Sequence, residues 1–204
     1  MSIRSQSEFE KLRVIGRIVR RVLDAAAAAV RPGITTGELD EFAGRALAQN
    51  GAISAPPKVY GFPGHLCISV NDEAIHGVPG SREIHAGDLV KLDLVAEKDG
   101  FFADAAVTVS AGVPNDTARR LVRCAESAFH LATRAARPGN RVYEIGRVVE
   151  RETRRCERPE LHRVSSNADP PSARFISSRQ THIRRSAGRS SSTRLGSIVC
   201  LRAG

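Results

Sequence analysis

The sequence predicts an α/β chain of the α+β type, in which a helix–helix–sheet unit is used twice and the second copy is left incomplete. Three observations point there. Two pairs of amphipathic helical stretches can be read along the chain, strand-like runs that include a hairpin lie between the pairs, and RPGITTGELDEFAGRA (31–46) aligns without a gap with RPGNRVYEIGRVVERE (137–152) at an offset of 106. The alignment sets Glu38 against Glu144 and Leu39 against Ile145, and each segment follows an amphipathic helix of similar length. Pro-Gly punctuates helices generally, so the matching helices on both sides carry the argument.

In chain order, Glu8 to Val30 places Leu12, Ile15, Val19, Val22 and Ala26 at spacings of three and four, one face of a helix. Arg31-Pro32-Gly33 stops it. Thr35 with Glu38 three residues on is a capping-box signature for a second helix, which Asn50-Gly51 closes. Strand signals follow at 65–70, 88–96 and 101–109, with Asp99-Gly100 as a hairpin turn. Asn115-Asp116-Thr117 starts a third helix through Leu121, Val122, Ala125, Phe129 and Ala132, ended by Arg137-Pro138-Gly139. A fourth helix runs through Ile145, Val148 and Val149. The first repeat is thus expected over about 8–112 and the start of the second over about 114–156. No strand is expected after Cys156, so β-edge and apolar area should stay uncovered and stability should suffer.

The 204 residues carry a formal charge of +9, but unevenly. Residues 158–204 hold nine arginines, no lysine and only Glu160 and Asp169 as acids, a net +7, leaving +2 for the rest. Ten serines in that stretch, against eight in the 157 residues before it, mark a composition break near Cys156. The domain is therefore expected over 1–156 and an Arg/Ser-rich tail over 157–204, either out of frame, or a disordered basic arm that binds RNA or ribosomes non-specifically, or a solvated linker. Four cysteines without a CxxC pair suit reduced thiols, so no disulfide is expected. The run Ala25–Val30 is too short to span a bilayer or to serve as a signal segment, which points to a cytoplasmic chain without membrane contact.

Two strands carry an aspartate among apolar residues, Asp93 and Asp104. A two-residue loop at Asp99-Gly100 puts Lys98 opposite Phe101 and Asp104 opposite Val95, which shares a face with Asp93. The carboxylates then point the same way as diagonal neighbours roughly 7–8 Å apart, within reach of metal ions about 3.5–4 Å from one another. A lone strand aspartate has ordinary uses: Asp104 could cap a turn, and Asp93 could pair with Lys91 or Arg82. Two on one face, with only Ala103, Ala105 and Ala106 around Asp104, favour a cation site.

SVNDEAIHGVPG (69–80) followed by GDLVKLDLVAEKDGFFADAAVTV (87–109) resembles the type I methionine aminopeptidases, metalloenzymes that remove the initiator methionine. EKLRVIGRIV near the start and VRPGITTGELD (30–40) extend the resemblance over about 7–155. It implies the pseudo-twofold pita-bread fold, a monomer, action on peptide or nascent-protein N-termini, and two divalent ions, Co, Mn, Fe or Zn. It further implies that Asp93 chelates one metal, that Asp104 bridges two, and that His76 contacts substrate and helps stabilise the reaction intermediate. Phe62 and Cys67 fall where the family lines its methionine pocket; ordinary core packing is the other reading of both. The family's remaining ligands, a histidine in a GHG-type motif and two glutamates, have no counterpart here. The histidine should fall near Asn167; His162 is the nearest candidate and lacks the flanking glycines, and no glutamate occurs after residue 170. The implied activity is metal-dependent removal of N-terminal methionine, with this chain expected to be weakly active or inactive. The alternative is a non-catalytic module whose basic tail contacts RNA or the ribosome.

Overall fold

Alternation along residues 89–110 sorts the two faces of the sheet, and the rest of the architecture follows from it. A computed structural model of the chain describes residues 3–161 and 195–202. Strands β3 (Leu89–Lys98) and β4 (Phe101–Ser110) form the predicted antiparallel hairpin once the preceding elements are in place: α1 (Gln6–Ala29), α2 (Thr36–Gln49), β1 (Ile53–Ser54), α3 (Pro56–Tyr60) and β2 (Cys67–Val70). Asp99 and Gly100 both take positive φ, 54° and 78°, the backbone that a two-residue turn between right-twisted strands needs. Lys98 stands opposite Phe101 and Val95 opposite Asp104, as the turn predicts. Val90, Leu92, Leu94 and Ala96 with Phe101, Ala103, Ala105 and Val107 fill one face and are buried.

That face is covered by α1, whose Ile15, Ile18, Val19, Val22, Leu23 and Ala26 join the same core. The predicted α1 stripe is confirmed, with Ile18 and Leu23 widening it. Helix α2 begins in the predicted capping box: the Glu38 amide donates to Thr35 Oγ1 at 3.1 Å, and the Thr35 amide donates to Glu38 Oε2 at 2.8 Å. Its Leu39, Ala43 and Leu47 close the core. Buried Asp40 ties α2 to the start of β2, with Oδ1 accepting from the amides of His65 at 2.6 Å and Leu66 at 2.7 Å. Both β1 and β2 pair antiparallel with β3 on the side away from β4, β1 at Ala96–Glu97 and β2 at Val90–Asp93. The short elements β1 and α3 have no periodicity to read, which is why sequence reasoning missed them.

Helices α4 (Asp116–Ala135) and α5 (Val142–Leu161) form where the sequence predicts two further helices, α4 with Asn115 as N-cap accepting from the Ala118 amide at 2.8 Å. They pack chiefly on each other. Their buried residues Val122, Ala128 and Ala132 stand apart from the α1–α2–sheet core. Two expectations are corrected. Cys124 and Cys156 form a disulfide between α4 and α5, their Cα atoms 6.0 Å apart, because the helix pairing brings together cysteines that are 32 residues apart in sequence. A strand does follow Cys156: β5 (Leu195–Arg202) pairs antiparallel with β4 over Phe101–Thr108 and covers the edge that was expected to be bare. Of the tail expected over 157–204, His162 and the rest of 162–194, with 203–204, lie outside the described residues. No helix among the described residues is long and apolar enough to cross a membrane.

Replacing Asp40 by Ala leaves the buried Leu66 amide and the part-buried His65 amide without this acceptor and should cost about 3 kcal/mol. In a chain of this size that lowers the thermal midpoint by roughly 6–12 °C. Calorimetry of Asp40→Ala beside the parent chain checks this; a shift smaller than a degree would show that solvent replaces the carboxylate.

Candidate metal centre

The face of the hairpin turned away from α1 carries Asp93 and Asp104. Asp93 pairs across β3–β4 with Ala106, and Asp104 with Val95, which makes the two carboxylates diagonal neighbours on one face. On the other side of β3, Cys67 stands directly opposite Asp93. Oδ1 of each aspartate is buried and has no hydrogen-bond partner among the described residues. The cations that could have answered them are engaged elsewhere: Lys91 Nζ donates to the backbone carbonyls of Asn71 and Glu73, and Arg82 pairs with Glu73 at 2.5 Å. Burial raises the Asp93 carboxyl above its ordinary range, opposed by its hydrogen bond with Asp104 and by the nearby His76. Burial, then the Asp93 charge, pushes the Asp104 carboxyl up to about 7.

His76 sits on the loop after β2 in the left-handed backbone region, with φ 58°, a conformation that costs a non-glycine residue of order 1 kcal/mol or more and persists only when its surroundings hold it. The surroundings are visible. Ile68 donates its amide to Gly77 O at 2.9 Å, and the Gly77 amide donates to Ser69 Oγ at 2.9 Å. Further along the loop, Thr36 Oγ1 donates to Gly80 O and accepts from the Gly80 amide, while the Gly37 amide donates to Gly80 O at 2.7 Å. The N-terminus of α2 therefore clamps the loop that presents His76. Sequence reasoning had no reason to single out Thr36; the repeated threonine in GITTGE is the signal it offered.

Gly77 is the tightest point. A Cβ there would lie 2.1 Å from Ile68 O, a clash with backbone that no rotamer relieves. Gly77→Ala should therefore displace the His76 loop and destabilise the fold by about 2 kcal/mol or more. Thermal unfolding, together with the shift of the His76 ring resonances, checks this; an unmoved histidine signal would count against the clamp.

Phe62 and Cys67 complete the neighbourhood. Cys67 is 5 % exposed, and burial, followed by the charges of Asp93, Asp104 and Asp40, pushes its thiol up to about 12. It is a neutral wall near pH 7. Phe62 is half-buried and meets Tyr60 edge-to-face with ring centroids 6.5 Å apart. Tyr60 is a residue the sequence reading missed: burial raises its phenol, and Cys67, Asp93 and Asp104 all add to the rise, which places it beside the carboxylates. Its position next to Phe62 in VYGFP was the available hint.

Two hard oxygen donors with orphaned atoms suit a divalent cation. Among the described residues no group of three or more His, Cys, Asp or Glu side chains is arranged to hold a metal, so the donor set present here is two carboxylates. The comparisons with known proteins agree with that chemistry. Residues 10–168 match the model of metallopeptidase family M24. The chain belongs to this family. An M24 relative, methionine aminopeptidase 2 of Bacillus subtilis, is 41 % identical over 155 residues, which are 76 % of this chain and 62 % of that protein. A methionine aminopeptidase of Staphylococcus epidermidis is 40 % identical over 150 residues, 73 % of this chain and 60 % of its own. The crystal structure of methionine aminopeptidase from Rickettsia prowazekii superposes with a TM-score of 0.73 at 26 % identity, covering 76 % of this chain and 62 % of that one. Prolidase from Pyrococcus furiosus shares the fold, with a TM-score of 0.67 at 22 % identity over 76 % of this chain and 44 % of that one. The M24 chain thus has the expected pita-bread fold and spans about three-fifths of the length of these curated relatives.

Asp104 makes stability pH-dependent. Its carboxyl titrates at about 7 in the fold against an ordinary 3.8. Between those values the folded chain holds a proton that the unfolded chain has released, so its stabilising contribution is full below the lower value and is lost as pH rises through the upper one. The denaturation midpoint of the metal-free chain should therefore fall between pH 4 and pH 7, and Asp104→Asn should flatten the decline. Parallel profiles for the two proteins would show that this carboxyl is not perturbed.

Proposed function

We propose that this chain carries the first-repeat portion of a methionine aminopeptidase active site and takes part in metal-dependent hydrolysis at peptide N-termini. The observation that carries the reading is the pair of orphaned carboxylate oxygens on one face of the β3–β4 hairpin. Asp93 and Asp104 would together hold the divalent ions. When bound, such ions polarise the scissile carbonyl and lower the pKa of an attacking water. His76, held on its clamped loop, would hydrogen-bond the substrate and stabilise negative charge developing on its carbonyl oxygen. Phe62 and Cys67 would receive the methionine side chain, since an aromatic ring and a neutral buried thiol suit a polarisable thioether. The substrate class is peptide or nascent-protein N-termini, the metal is Co, Mn, Fe or Zn, and the setting is the cytoplasm. The domain in this reading is residues 1–156.

The donor set sets the expected level of activity. A dinuclear site wants about five side-chain ligands, and two carboxylates hold a cation loosely. Turnover should therefore be slow. The test combines calorimetric titration with Mn²⁺ or Co²⁺ and methionine release from Met-Ala-Ser. Binding with slow, metal-dependent release is expected, and Asp93→Asn should abolish both. Release that survives Asp93→Asn, or an absence of metal binding by the folded chain, would overturn the assignment.

A further inference from the structure

We infer that Cys124 and Cys156 act as an oxidant-responsive staple that fixes helix α5 on helix α4. Little else holds this helix pair to the rest of the described molecule. The α1–α2–sheet core contains no residue of α4 or α5, and the two helices pack mainly against one another. Only Val122, Ala128 and Ala132 of α4 are fully buried, a small apolar surface for a 20-residue helix. Val142 and Tyr143, at the start of α5, remain largely exposed. A hairpin of this kind opens at low free-energy cost, as weakly packed units do.

Against that background the interhelical ties stand out, and they lie in one layer. Ser127 Oγ donates to Glu152 Oε1 at 2.5 Å across the hairpin. One turn earlier on α4 and one turn later on α5 are Cys124 and Cys156, with Cα atoms 6.0 Å apart. That separation lies inside the range disulfides adopt without moving the backbone. The Ser127–Glu152 bond therefore ties the same two helices one turn away from the disulfide. Both cysteines are half-buried rather than enclosed, so a small reagent reaches them. Cys67 differs: it is buried against β3 and is not placed to compete.

The chemistry is thiol–disulfide exchange with a small-molecule disulfide such as oxidised glutathione. One cysteine, as thiolate, attacks the small disulfide, forms a mixed disulfide and releases one glutathione thiolate. The second cysteine, having lost its proton to solvent, displaces the other glutathione and closes the Cys124–Cys156 bond. Two electrons pass from the cysteines to the small disulfide, and the two protons given up by the cysteines are taken up by the two glutathione thiolates. A reducing pool runs the sequence backwards. In the oxidised state the cross-link removes open conformations from the hairpin; in the reduced state the helices are held by the Ser127–Glu152 bond and a small apolar contact. This makes α4–α5 the element whose opening follows redox poise, independently of whether metal is bound.

The test uses the full chain. Equilibration with oxidised glutathione followed by peptide mapping without reductant should yield the Cys124–Cys156 cross-linked peptide. Hydrogen exchange of amides in 116–156 should then slow by about tenfold or more relative to the reduced chain, with α1 unchanged. Cys124→Ser and Cys156→Ser should each remove the difference. Four results would overturn the inference: both cysteines still alkylated after oxidation, a cross-link to Cys67 or Cys200 instead, exchange that is the same in the two redox states, or slowing that persists in either serine variant.

Discussion

Everything on the carboxylate face depends on the two-residue turn between β3 and β4. Asp99 and Gly100 at positive φ close the hairpin without a bulge, so the register is set by the turn and runs unbroken for ten pairs. A slip by one residue would move Asp93 and Asp104 to the α1 face and Leu92, Leu94, Ala103 and Ala105 to the other. The hydrophobic core and the candidate centre are two readings of one alternation. The core enforces the register more strongly, because burying eight apolar side chains under α1 outweighs any local preference of two aspartates.

The aspartates therefore sit where the core puts them, at an electrostatic cost. Carboxylates left among Val95, Ala106 and Cys67 lose hydration that Lys91 and Arg82 do not restore, since both serve the Asn71–Glu73 turn. Their raised protonation is the chain's own partial answer. A divalent cation is the fuller one, because it supplies positive charge to both oxygens at once. The same logic accounts for the strained His76: the α2 N-terminus, through Thr36 and Gly37, holds Gly80 and with it the histidine loop. Two elements far apart in sequence meet at the site because α2 packs on the sheet that carries it.

Much of this was legible in advance for a simple reason. Helix stripes, caps and tight turns are encoded within a few residues, so α1, the Thr35 capping box, the Asn115 cap and the β3–β4 register could all be read directly. The carboxylate pair followed from that register. What escaped was non-local or very short. Tyr60 belongs to a five-residue helix without period, Thr36 acts through a loop 44 residues away, and β5 lies in a stretch whose composition says arginine and serine rather than strand. The disulfide escaped because cysteine spacing in sequence says nothing about two helices folded back on each other.

The sequence by itself determined the local vocabulary: which segments are helices or strands, which face of each is apolar, and that two aspartates share one side of a hairpin. These are short-range consequences of side-chain periodicity and backbone sterics. Only the tertiary structure decided that an oxygen of each aspartate has no hydrogen-bond partner among the described residues, that Cys67 and Tyr60 stand beside them, and that β5 occupies the edge of β4. It alone decided that Cys124 meets Cys156. Such facts depend on which surfaces compete successfully for one another once the chain is folded, and that competition has no signature in a window of residues.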